Sequence, residues 1–146
     1  MRDLHSNITL VTLIGAAVLA ADANSGWIDL QGYNSAEIAL AVGIGGITFS
    51  STNKIEFLLE HSDDGGTTSA PVTLNDVLGA TSVTSGIIKS LVAAHAAADS
   101  TRFGYKGGKR YIRLTADFSG THGTGTPIAA LLIKAAGFNR PEANQA

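Results

Sequence analysis

Arg102, Lys106, Lys109, Arg110 and Arg113 place half of the chain's ten Lys and Arg residues within twelve positions, with Phe103, Tyr105 and Tyr111 between them. Such a stretch can act in three ways. Cations that neutralise phosphates, interleaved with rings that stack on bases, bind single-stranded nucleic acid. Arg and Tyr are also enriched where proteins dock on one another. The same charges can simply keep the edge of a hairpin solvated. The formal net charge of the whole chain is −2, unlike that of a basic nucleic-acid binder, so no nucleic-acid partner is expected. Docking on an acidic protein surface and a solvated hairpin remain as readings.

Other residue types offer less. The chain has no cysteine, which excludes disulfides and thiolate metal sites. His5, His61, His95 and His122 lie far apart, with no H-x-H or H-x-x-x-H pair to suggest zinc. Asp63 and Asp64, beside Glu60 and His61, carry oxygen ligands for a hard cation. Their spacing is not that of an EF-hand, and acids followed by Gly65-Gly66 are common turn formers. Gly43-Ile44-Gly45-Gly46 has the composition of a phosphate loop, but such a loop must open onto a helix, and Ile47, Thr48 and Phe49 read as strand. No G-x-S-x-G nucleophile elbow is present, and nothing supports the paired carboxylates of a glycosidase. The expectation is a protein that is not an enzyme, with no metal and no cofactor.

The elements that must position these residues are short and extended. Ile8–Leu19 is rich in β-branched residues, and Gly15 divides it. With the Ala21-Asp22-Ala23 that follows, it also has the outline of a secretion signal. The near-neutral region before it and Thr9 and Thr12 within it favour a buried first strand in a protein made in the cytoplasm. It is too short to span a membrane, so no membrane partner is expected. Ala21–Trp27 reads as a turn and Trp27–Leu30 as a half-buried strand. Ser35–Gly43 is a strand with Ile38, Leu40 and Val42 on one face, and Ile55, Phe57 and Leu59 mark the next before a turn at Ser62–Gly66. Thr73–Gly79 suggests one helical turn, Ile87–Val92 a strand, and Ala93–Asp99 a loop or turn. Thr101–Phe118 reads as a hairpin turning at Lys106-Gly107-Gly108-Lys109, where Gly-Gly supplies positive φ. Ser119–Pro127 reads as a flexible connector. The last strand, Ile128–Phe138, is apolar on both sides, which predicts burial of both. Turn signals near every ten residues and no long helical pattern give an all-β fold: an antiparallel β-sandwich or jelly-roll-like barrel with one or two short helical turns. One domain spans 1–146, with a polar N-terminal arm (about 1–7) and a short polar C-terminal tail (about 139–146).

Only 15% of residues are charged, against about 25% in ordinary soluble domains. A surface so poor in charge suggests one covered by partners.

Taken in order, "MRDLHSNI", "IDLQGYNSAEIALAVG", "LEHSDDGG", "GYKGGKRYIRL" and "SGTHGTGTPIAA" resemble small head structural proteins of tailed bacteriophages, the capsid decoration or cement proteins. The resemblance runs from Met1 to about Pro141. It implies a virion protein on the outer capsid surface that binds the major capsid protein and bridges neighbouring subunits, and a homo-oligomer, with trimers at threefold sites one form that closed symmetry allows. The N-terminal arm, with Arg2 and His5, is the first expected contact with the shell. Arg102, Tyr105, Lys106, Lys109, Arg110 and Arg113 are the second. A minor tail or head–tail joining protein and a carbohydrate-binding β-sandwich module are the alternatives. The latter needs an exposed aromatic platform, for which one Trp, three Tyr and five Phe leave few candidates.

Overall fold

A computed structural model describes residues 3–143. Eleven strands form two antiparallel sheets: β1 (Ile8–Leu19), β2 (Ala23–Asn24), β3 (Ile28–Asp29), β4 (Tyr33–Val42), β5 (Lys54–Ser62), β6 (Ser69–Pro71), β7 (Val77–Leu78), β8 (Ile87–Leu91), β9 (Asp99–Tyr105), β10 (Tyr111–Ser119) and β11 (Thr126–Gly137). Sheet 1 runs β1-β11-β4-β9-β7. Sheet 2 runs β2-β10-β5-β6, with β3 also on β10 and β8 also on β5. The sheets stay open, so the fold is a β-sandwich and not a closed barrel. The helical content among the described residues is two single 3₁₀ turns, His5–Asn7 and Leu74–Asp76, the second closed by a capping box between Thr73 and Asp76.

Strict alternation places alternate residues of the four long central strands between the sheets. Ile38, Leu40 and Val42 come from β4 and Ile128, Ala130 and Leu132 from β11. They meet Ile55, Phe57 and Leu59 of β5 and Ile112, Leu114 and Ala116 of β10, all essentially inaccessible. Each such Leu or Ile is worth about 1.5–3 kcal/mol of burial.

Several sequence expectations need correction. Gly15 does not end the first strand. β1 continues to Leu19 through register shifts between Thr12 and Ile14 and between Ile14 and Ala17, which let the consecutive Leu13 and Ile14 both turn inward. Ile47–Phe49 is not a strand. The segment 43–46 lies against 124–127, with Gly46 N–H donating to Gly125 O (2.8 Å), and a Cβ at Gly45 would sit 2.8 Å from Thr126 Oγ1 and 2.9 Å from the Phe49 ring. Close approach, not phosphate binding, accounts for that glycine. The connector after β10 is anchored: His122 is buried, its Nε2 donates to Ser119 O (2.8 Å), and its ring meets Phe118 edge-on. β11 is buried on one side alone; Leu131 and Pro127 on the other are exposed.

The largest correction concerns Thr101–Phe118. β9 and β10 are not a hairpin. β9 pairs with β4 and β7 in sheet 1, and β10 pairs with β5, β2 and β3 in sheet 2. Residues 106–110 are therefore an arch that carries the chain from one sheet to the other. Gly107 and Gly108 lack positive φ. A Cβ at Gly107 would come within about 2.6 Å of the Tyr105 ring and hydroxyl, so this glycine lets the arch fold over Tyr105.

Candidate functional site

The arch divides the expected basic site. Arg102 stands on the outer face of β9, its side chain 87% exposed, with Nε 3.8 Å from Glu37 Oε1. Tyr105 is buried at the end of that strand. Its hydroxyl accepts from Lys109 N–H (3.1 Å) and shares a hydrogen bond with His61 Nδ1 (3.0 Å). Burial pushes its pKa up to about 12, so at neutral pH it is a structural hydrogen-bonding group and no base. Lys106 hydrogen-bonds Asp76 O through its backbone N–H (2.8 Å) and has no ion pair among the described residues. Lys109 pairs with Asp63. Arg110 makes a two-pronged contact with Asp29, Nε to Oδ1 at 2.9 Å and the terminal nitrogen to Oδ2 at 2.6 Å. Arg113 reaches Glu60 Oε2 with two nitrogens (3.0 and 2.6 Å).

The five cations thus point to different sides, and three of them are neutralised by acids from neighbouring elements. The same bonds account for the acids that the sequence offered as cation ligands. Glu60 and Asp63 are taken by Arg113 and Lys109. Asp64 Oδ1 accepts from Ser62 Oγ (2.7 Å) and Thr68 N–H (2.8 Å), bonds that, with the Thr68 amide foremost, hold its pKa down at about 2. Arg110 likewise holds the Asp29 carboxyl below its usual range. No group of three or more His, Asp or Glu among the described residues is placed to hold a metal. Between the arch and residues 30–36 lies a groove of about 680 Å³, lined by Tyr33, Asn34, Ser35, Tyr105, Lys106 and Arg110 among others.

The expected N-terminal contact also changes. Arg2 lies outside the described residues. His5 is exposed, but it belongs to a folded 3₁₀ turn and not to an irregular arm. Asp3 Oδ1 accepts from Ser6 N–H (3.2 Å), and Glu142 N–H donates to Ser6 O (3.0 Å). Glu142 Oε2 in turn accepts from Thr9 Oγ1 and Tyr33 OH, both at 2.9 Å. The two ends of the described chain are tied together against β1 and β4, so the tail is docked at least to Glu142.

The surface that sequence reasoning missed is the outer face of sheet 1. Register places Ala39 opposite Leu131 and Arg102, and Ala41 opposite Ala129 and Ser100. With Val18 and Pro127 of the β1–β11 pair, these make a plane poor in charge, whose outward-facing ionic groups among the described residues are Glu37 and Arg102; Asp99, paired with Lys89, lies at the rim of its smaller depression. Two adjoining shallow depressions of about 470 and 370 Å³ lie on it and share Ala41, Ser100 and Ala129. The outer face of sheet 2 is different: it carries Lys54–Glu56 and Arg113–Glu60 ion pairs at 2.8 and 2.6 Å. A signal was present in the sequence. The outward positions of both central strands of sheet 1 (Ala39 and Ala41, Ala129 and Leu131) are apolar, where a solvated face would carry charge.

The Trp and Tyr rings are occupied. Arg113 lies over Trp27 (4.7 Å to the ring centre), Arg110 over Tyr111 (4.9 Å) and Lys134 over Tyr33 (4.3 Å), while Tyr105 is buried. The single Trp and the three Tyr are thus each buried or covered on one face by a cation, while Phe138 is the one exposed aromatic ring, at 72%, among the large hydrophobics of the described residues. Among the described residues, no helix is long and apolar enough to cross a membrane.

No family model matches the chain, and no curated protein matches it. Among solved structures, the chain is similar to the SPBc2 prophage-derived protein YomS, with 10% sequence identity, 89% of this chain and 94% of that one covered, and a TM-score of 0.45.

Proposed function

We propose that the protein is a structural component of a bacteriophage virion, bound to the outside of the capsid, where it cements neighbouring major capsid subunits. The observation that carries this reading is the unequal pair of sheet faces. Sheet 2 has the paired charges of a solvated surface, whereas sheet 1 presents an apolar plane that a free monomer has no use for. Such a surface suits a protein that spends its life covered by neighbours. The resemblance of the ordered sequence motifs to tailed-phage head proteins supports the choice of the capsid as that assembly. A protein of this kind needs no catalytic group: it binds the assembled lattice and not free subunits, and so stabilises the lattice by mass action. The tie between Ser6, Thr9 and Glu142 fits the role, since segments clamped to one another transmit load better than loose ones.

The test is co-sedimentation. Purified protein is mixed with heads stripped of it, and bound copies are counted against the major capsid protein by gel densitometry. Hundreds of copies saturating in a fixed ratio are expected. A handful of copies per particle would place the protein at the tail or head–tail junction, and none would remove it from the virion.

A further inference from the structure

The outer face of sheet 1 is poor in charge but not free of it, and the placement of its two outward-facing ionic groups is informative. Glu37 and Arg102 lie on adjacent strands, β4 and β9, at positions one diagonal step apart. Arg102 is 87% exposed, and its closest approach to Glu37 is 3.8 Å, so most of its donors are unused. With the rim acid Asp99 neutralised by Lys89, the one outward-facing acid and one outward-facing base of this plane are self-complementary under a two-fold axis: each Arg102 can meet the Glu37 of the opposing copy. A strongly charged partner would leave one of the two groups facing a like charge.

The remaining features agree with sheet-on-sheet packing. Ala39, Ala41 and Ala129 keep the plane low, as facing sheets about 10 Å apart require. Val18 and Leu131, 62% and 38% exposed, stand at the shallow depressions and can fill those of an opposing copy. Four strands about 4.8 Å apart, and about 24 Å of β11 from Pro127 to Ile133, give each copy a footprint of roughly 460 Å². Two footprints, enlarged by side-chain relief, reach the ~1,000 Å² that separates specific interfaces from incidental contacts. We infer that the outer face of sheet 1 takes a second copy of this chain, in an isologous dimer with reciprocal Glu37–Arg102 pairs across the axis. This rests on the reading of the protein as an assembly component.

Sedimentation equilibrium of the full chain, without heads, tests it. A dimer is expected below about 100 μM. Arg102→Glu and Glu37→Arg should each weaken dimerisation at least ~10-fold, because like charges then oppose one another, while the double variant recovers most of the loss. Thermal melts followed by circular dichroism check that each variant is folded, as exposed pairs of this kind contribute little to a monomer. A monomer at all concentrations, a trimer, or a dimer indifferent to both reversals overturns the inference. Head binding is scored separately. A monomer that saturates heads sinks the dimer and keeps the cement reading; a dimer that ignores heads does the reverse.

Discussion

Gly65 and Gly66 are adjacent, sit in the same turn, and both have positive φ, yet they should respond very differently to alanine. At Gly65 (φ +70°) a new methyl group meets nothing within 4 Å, so the cost is that of the left-handed backbone alone, about 1 kcal/mol. At Gly66 (φ +101°) the same group would fall within 2.5 Å of the indole Nε1, Cε2 and Cδ1 of Trp27. The indole cannot shift without disturbing its stack with Arg113 (4.7 Å to the ring centre). It must leave its seat, losing a cation–π contact of about 0.5–1 kcal/mol and apolar burial of comparable size, on top of the backbone term. Gly66→Ala should therefore cost about 2–3 kcal/mol, roughly 1–2 more than Gly65→Ala. Urea unfolding followed by circular dichroism measures the difference. Emission of the single tryptophan reports its release as a red shift in the folded state of the Gly66 variant alone. Placing Gly66→Ala in a Trp27→Ala background should bring its cost down to that of Gly65→Ala. Equal losses for the two alanines, with unshifted emission, would refute the argument that the indole is held by the turn and Arg113.

Two further outcomes follow from the hydrogen-bonded acids and the buried phenol. Asp29, Asp63, Asp64, Asp76 and Asp99 all have depressed folded-state pKa values, so the stability they contribute is present above about pH 4 and is lost as pH falls toward 2. Asp64→Asn should flatten part of that decline in melts recorded from pH 5 to pH 2. Tyr105 shows the opposite sign: its raised pKa makes its contribution complete below pH 10 and lost between 10 and about 12, which ultraviolet titration of the phenolate should reveal as one late-ionising tyrosine. Tyr105→Phe removes that late step and, by stranding His61 Nδ1 and the Lys109 amide, costs about 1–2 kcal/mol at neutral pH.

The parts of the fold legible in the sequence are those where period-two alternation runs longest. Ile38-x-Leu40-x-Val42 and Ile55-x-Phe57-x-Leu59 read directly as inward faces, and both strands form as expected, each within two residues. Strands of two residues such as β2 and β7 leave no periodic trace; they exist because a long neighbour already offers its edge, whereas β3 forms inside the strand read at Trp27–Leu30. The arch was misread for a related reason. Lys106-Gly107-Gly108-Lys109 carries a strong local turn signal, but which sheet the next strand joins depends on β4 and β5, more than forty positions back. Of the candidate site, residue types were legible and pairing was not. Asp29, Glu60 and Asp63, which neutralise Arg110, Arg113 and Lys109, are distant in sequence and become neighbours only through sheet 2 and its turn. Ile47–Phe49 failed because β-favouring residues fill a loop whose conformation is set by contact with 124–127.

The pairing of β1 with β11 gives the chain an awkward birth. β1 leaves the ribosome more than a hundred residues ahead of β11, the strand that completes it. At about 5–20 residues per second, Ile8–Leu19 waits roughly 5–20 s with its apolar face and its backbone donors unmatched. Every incomplete translation product keeps that exposed strand, so quality-control proteases have a ready mark of an unfinished chain. Once β11 is made, the chain hides the mark in a single late step, and only then acquires the flat outer face of sheet 1. Whatever docks on that face is thereby kept waiting until β11 has been made.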